Sequence, residues 1–136
     1  VGGNNGPNFL NATPKTAYLN EIESPAEATT YNAKIGLMYV SEYGYAASPE
    51  NWNTTLNRYG NATNRDNNWM FMSGVEWTIS RYSNDTRSAF IVFGDGNVSI
   101  YDVYNYRYGV RPSFSLESGV VLSGGIGSSA DPYRLA

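Results

Sequence analysis

Residues 88–103 read "SAFIVFGDGNVSIYDV", two β-prone runs separated by Gly94-Asp95-Gly96. Asp-Gly and Gly-Gly type turns supply the positive φ angles that let a chain reverse within two or three residues, so this stretch is a β-hairpin. Here Asp95-Gly96 is expected to carry those angles. A hairpin with apolar residues on both arms is unstable alone, and the rest of the chain must supply its cover.

Beyond the N-terminal region most of the chain is also β-prone. "KIGLMYVSEYGYAA" (34–47) predicts a buried strand with Ile35, Leu37 and Tyr39 on one side. "WMFMSGVEWTIS" (69–80) predicts two short strands broken near Ser73-Gly74. "GVRPSFSLES" and "GVVLSGG" predict further strands, and "GSSADPYRLA" a turn and a last strand. Helix signals are sparse. "AYLNEIESPAEA" (17–28) predicts a short helix ending before Pro25. "SPENWNTTLNRYG" orders Ser48 as N-cap, Pro49 at the first helical position, Glu50 in the first turn and Gly60 past the end. Residues 61–68 read as a loop, and 1–14, with three glycines and two prolines, as an extended arm. The organisation is an arm (1–14) followed by one α+β, β-dominated domain (15–136) with one or two short helices. The opening "VGGNNGPNF" reads as the start of a processed or trimmed product, with no signal peptide in view.

Several functional classes lack their chemistry. The chain has no histidine and no cysteine, so the common nucleophile–base pairs and zinc ligand sets are missing. No carboxylate pair fits acid/base work, and no enzymatic activity or cofactor is expected. The net charge is −3, the two lysines are Lys15 and Lys34, and the arginines are scattered singly, which argues against nucleic acid. No apolar run approaches the roughly 18 residues of a membrane span, and no membrane contact is expected. "GDGNVSIYD" lacks the spacing of a calcium loop. Glu50, Asn51, Asp95 and Asp102 are the residues a calcium ion would use, but turn and cap roles account for Glu50 and Asn51 without one, and no metal site is expected.

Tyrosine (12) and asparagine (16) are in excess, and tyrosine concentrates in "NVSIYDVYNYRYGVRP" (97–112). Such a composition supplies adaptable contacts at low rotamer cost, as in paratopes. The plain alternative is a solvated sheet face with cross-strand tyrosine pairs.

At "VEWTIS", "AFIVFGDGNV" and "GVRPSFSLES" the chain resembles the C-type-lectin-like fold in its bacterial, formylglycine-generating-enzyme-like branch. The nearer resemblance is to Firmicutes-type surface proteins, many of them prepilin-like. It is carried across residues 32–136 by "AKIGLMYVSEYGYAASPENW", "NNWMF", "EWTISR", "GVRPSFSL" and "GSSADPYRLA". The resemblance implies display at a bacterial cell surface, often behind a hydrophobic pilin helix that this sequence does not contain. Formylglycine-generating activity is not implied, because the catalytic cysteines of those enzymes have no counterpart here.

In some proteins of this fold the segment before the "GVRP" strand is diversified by a retroelement that randomises adenines. An Asn codon so treated cannot yield Lys, Glu, Gln, Met or Trp, and residues 82–108 contain none of them. Elsewhere Lys, Glu, Met and Trp supply 15 of 109 residues, so about four would be expected in the segment on composition alone. The resemblance therefore marks a binding face. The period of two assigns Tyr82, Asn84, Asp85, Arg87, Ile91, Phe93, Ser99, Tyr101, Asp102, Tyr104, Asn105, Tyr106, Arg107 and Tyr108 to display. It assigns Ala89, Phe90, Val92, Val98, Val103, Gly109, Val110, Arg111 and Pro112 to scaffold, with Trp77 in the core. The expected partner is a protein or glycan on a cell or phage surface. The other reading is the globular head of a type IV pilin-like filament, in which the tyrosines touch a second subunit.

Overall fold

The computed structural model describes residues 3–4, 11–23, 32–61, 65–128 and 130–136. It is β-dominated α+β, with three sheets and two short α-helices among the described residues. The main sheet has the order β1 (Gly3–Asn4), β3 (Glu76–Tyr82), β4 (Ser88–Val92), β5 (Val98–Asp102). Its pairs are antiparallel except β1 with β3. Two small antiparallel ribbons accompany it, β2 (Gly36–Leu37) with β6 (Pro112–Ser113), and β7 (Leu122–Gly124) with β8 (Arg134–Leu135).

The hairpin forms where expected, with Phe90 opposite Ile100 and Val92 opposite Val98. Its turn differs in one detail. Gly96 NH donates to Phe93 O at 2.8 Å and Phe93 NH to Asn97 O at 2.8 Å, a three-residue loop in which Gly96 (φ +93°) alone carries the positive φ. Asp95 stays in the ordinary region and instead fixes the loop, its carboxylate accepting from Asn97 NH and Asn97 Nδ2, both at 2.9 Å. The turn is docked inward, since Tyr43 OH donates to Gly96 O (2.9 Å) and Gly60 NH to Asn97 Oδ1 (2.7 Å).

Helix α1 (Pro14–Tyr18) starts with Thr13 as N-cap and Pro14 at N1, then widens into a π-type turn over Leu19–Glu23. It thus begins inside the segment expected to be arm; residues 24–28 of the stretch whose helix is expected to end before Pro25 lie outside the described residues. Helix α2 (Val40–Tyr45) replaces most of the strand expected over 34–47, of which Gly36–Leu37 pairs as a strand and Ala47 makes a single bridge to Asn68. Met38 and Val40 are buried while Ile35 is 62% exposed, the reverse of the expected face. The reason is local: Glu42 accepts from Tyr39 NH at 2.7 Å and closes a helical first turn that the apolar alternation does not reveal. The two helices cross at Gly44, where an added Cβ would lie 2.7 Å from the Pro14 ring, so the approach requires glycine.

The helix expected from Ser48 is two 3₁₀ turns, Pro49–Asn51 and Leu56–Arg58, and Ser48 makes no side-chain cap bond. Of the two strands expected over 69–80, only the second forms, as the start of β3. Residues 62–64 of the expected loop lie outside the described residues, and Asn68 at its end is buried, its amide donating to Tyr43 O at 2.8 Å.

The core packs α1, α2 and the 3₁₀ turns against one face of the main sheet, around Val40, Tyr43, Leu56, Tyr59, Phe90 and Val98. A buried carboxylate lies within it. Glu21 accepts from Ser41 NH (3.1 Å) and from the Ser80 hydroxyl, while Ser80 Oγ accepts from Val40 NH at 3.1 Å. This joins the π-type turn, the start of α2 and β3 without leaving those donors unpaired.

Candidate functional site: an aromatic strap across the second sheet face

The other face of the main sheet carries Trp77, Ile91, Phe93, Ser99 and Tyr101, since Trp77 pairs with Ile91 and Ile91 with Ser99. After β5, residues 103–108 do not continue as a strand. β5 lies at one edge of the sheet, yet Gly109 bridges to Glu76, the first residue of β3. Gly109 NH donates to Val75 O and Trp77 NH to Gly109 O, both at 2.9 Å. The chain therefore crosses the sheet face as a strap between those anchor points.

Aromatic rings hold the strap down. Tyr101 is the centre, with Phe93, Tyr106 and Tyr108 at centroid distances of 5.3, 4.7 and 5.8 Å, all edge-on. Tyr108 stacks on Tyr106 at 5.4 Å and tilts against Trp77 at 5.4 Å. Phe93 and Tyr101 meet above the small Ser99, which lies between them in the register. Each such pair adds about 0.5–1.5 kcal/mol beyond the area it buries. The Tyr108 phenol is raised from its ordinary pKa by desolvation first, then by Tyr101 and Tyr106 beside it.

This arrangement corrects several expectations. Ile91, assigned to display, is completely buried. Its alternation with Phe90 put it on the outward face, but the aromatic residues cover that face. Tyr82 turns to the opposite side and sets its ring edge-on to Phe90 at 6.0 Å, and Ile100, which lies in the run Ser99–Asp102 also assigned to display, packs on the main core. Trp77 is half-buried on the strap side, not in the main core. Val103 and Val110, assigned to scaffold, are 47% and 63% exposed, because the strap leaves strand geometry where the alternation was extrapolated.

Other assigned residues gather at the end of the sheet. Asp85 accepts from Arg87 NH (3.0 Å) and Ser88 Oγ (2.8 Å), and these bonds, with Arg87 nearby, hold its carboxyl below the usual range. Asp102 Oδ1 accepts from Tyr104 NH at 2.8 Å and starts the strap. Arg87 stands 4.0 Å from both Asp85 and Asp102, and its carbonyl accepts from Val103 NH. Asn84, Asn105 and Arg107 are exposed. Tyr104 is 79% and Tyr106 44% exposed, while Phe93, Ser99, Tyr101 and Tyr108 are half-buried.

Arg111 anchors the far end of the strap. Its guanidinium lies 2.9 Å from the Glu76 carboxylate and donates to Met70 O at 2.8 Å. Sequence reasoning overlooked Trp77 as the seat of the strap, although its parity with Ile91 across the β3–β4 pair was a usable signal.

Chemically the face offers phenol hydroxyls, exposed rings, two arginines and short polar side chains. Glu50, Asn51, Asp95 and Asp102 do not converge. Asn51 is buried, with its carbonyl accepting from Tyr59 OH, and Asp95 and Asp102 serve separate turns. Among the described residues no group of three His, Cys, Asp or Glu side chains could hold a metal ion, and no helix is long and apolar enough to cross a membrane. In comparisons with known proteins, no family model, no curated protein and no solved structure matches this chain.

Proposed function

We propose that this domain is a binding module of C-type-lectin-like fold, displayed at a bacterial cell surface, that captures a protein or glycan through its strap. The observation that carries the reading is the division of labour among the tyrosines. Tyr101, Tyr106 and Tyr108 are spent on holding the strap, whereas Tyr104 stands 79% exposed beside the exposed Asn105 and Arg107, and Tyr106 still leaves 44% of its surface open. A large ring fixed from below loses little further entropy on contact, and a hydroxyl or guanidinium at its rim supplies direction. Changes at Tyr104, Asn105 and Arg107 leave the ring contacts among Tyr101, Tyr106 and Tyr108 in place, as a diversified segment requires.

The test is a comparison on one array of bacterial-surface and host glycans and proteins. The wild-type domain is expected to give selective signals that fall at least about tenfold in a Tyr104→Ser/Arg107→Ser variant of unchanged unfolding midpoint. Signals that survive in the variant, or a wild-type domain that binds nothing on the array, count against the reading. Mass measurements on the same two proteins separate out the filament-head reading, in which the variant loses self-association instead.

A further inference from the structure

We propose that Tyr106 and Tyr108 are a site of oxidative cross-linking. A one-electron oxidant joins their rings by a carbon–carbon bond between ortho positions and closes the end of the strap into a covalent ring. The site is built from phenols in mutual contact. Tyr101, Tyr106 and Tyr108 form a triangle with centroid distances of 4.7, 5.4 and 5.8 Å. One side of it is near-parallel: Tyr106 and Tyr108 stack with 18° between their planes, whereas Tyr101 meets them edge-on at 83° and 73°.

That difference in angle decides which pair reacts. Loss of one electron and the hydroxyl proton turns a tyrosine into a phenoxyl radical. Its unpaired electron lies in orbitals perpendicular to the ring, with high density at the ortho carbons. Such orbitals overlap when two rings face one another, and scarcely at all when one ring is edge-on. Near-parallel rings with centroids 5.4 Å apart are offset, so their rims, which hold the ortho carbons, come into contact. Holding the partners in this way replaces a bimolecular encounter by an intramolecular step.

Composition and exposure favour the same pair. The chain has no cysteine to be oxidised in its place. Tyr106 is 44% exposed and gives an oxidant entry, while Tyr108 is held against Trp77 at 5.4 Å. Tyr104 is more exposed but has no ring contact among the described residues, so a radical there has no second tyrosine in contact.

Each phenol gives up one electron and one proton. The radicals couple, each contributing its unpaired electron to the new bond, and the hydrogen on each joined carbon moves to its phenol oxygen as aromaticity is restored. The pair loses two hydrogens in all. Hydrogen peroxide activated by a haem peroxidase accepts them and becomes two waters. The product fixes both rings about Arg107, removing freedom that ligand contact would otherwise cost.

Irradiating the dilute 136-residue chain with a ruthenium tris-bipyridyl complex and persulfate tests this, since so small an oxidant needs no docking site. The monomer is expected to lose two hydrogens in mass, to gain dityrosine fluorescence, and to carry the bond between residues 106 and 108 in peptide mapping. Tyr108→Phe keeps the ring packing but has no hydroxyl to oxidise, and should lower the total dityrosine within monomers at least about tenfold. Tyr104→Phe should leave it unchanged. Dityrosine confined to linked dimers, a bond mapped chiefly to Tyr101 or Tyr104, an unaltered yield in Tyr108→Phe, or no dityrosine at all would each overturn the proposal.

Discussion

Trp77 and Tyr108 meet with ring centroids 5.4 Å apart and planes tilted at 44°, joining the start of β3 to the far end of the strap. If this contact holds the strap, the two residues are coupled. A Trp77→Ala/Tyr108→Ala double-mutant cycle in urea should return a coupling of about 1 kcal/mol. Additive losses would mean that the rings are neighbours without mutual support.

The tyrosines should divide by position. Tyr104→Ser removes a ring that is 79% exposed and should shift stability by less than about 0.5 kcal/mol. Tyr101→Ser removes three ring contacts at once and should cost about 2–4 kcal/mol. Equal losses in urea unfolding would place the centre of the cluster elsewhere.

Both faces of β4 should behave as interior. Phe90→Ala is expected to cost about 3–5 kcal/mol and Ile91→Ala about 2–4 kcal/mol, since both side chains are completely buried. An Ile91→Ala loss within a few tenths of a kcal/mol would show that the strap does not cover the sheet in solution.

Glu21→Ala leaves Ser41 NH and the Ser80 hydroxyl without their shared acceptor in the interior. The expected loss is about 2–4 kcal/mol, from stranded donors more than from lost attraction. Glu21→Gln keeps an acceptor and should recover part of it. Indistinguishable melting of all three proteins would rule out the network as a structural tie.

Alkaline pH should weaken the fold through Tyr43 and Tyr59. Both phenols are pushed well above the ordinary tyrosine value, by burial first, and both hydroxyls donate to backbone carbonyls. The folded state keeps its protons where an unfolded tyrosine, with pKa about 10, releases them. The resulting stability is complete below about pH 10 and is lost as pH rises further towards the folded values. Urea midpoints should therefore be level from neutrality to about pH 9 and fall steeply by about pH 11, less steeply in Tyr43→Phe. A profile unchanged by that substitution would exclude Tyr43 as a source.

The sequence alone determined the features that depend on a few neighbouring residues. Gly94-Asp95-Gly96 marks the place of the β4–β5 turn, although of the two residues expected to carry a positive φ only Gly96 does. The pairing of Ala89, Phe90 and Val92 with Tyr101, Ile100 and Val98 follows from loop length and alternation. The lack of histidine and cysteine, and the crowding of tyrosine before Gly109, were likewise plain from composition. What alternation cannot state is which face something else covers. Ile91 and Phe90 alternate as an exposed and a buried residue should, yet both are buried, because residues 103–108 leave the sheet edge and cross over to Glu76. The inversion at residues 35–40 has the same character: a capping bond from Glu42 to Tyr39 turns the chain into a helix and brings Met38 and Val40 inward. Period and propensity describe one segment's own surfaces. Burial is decided by the free energy of bringing distant segments together, and only the tertiary structure records which segments those are.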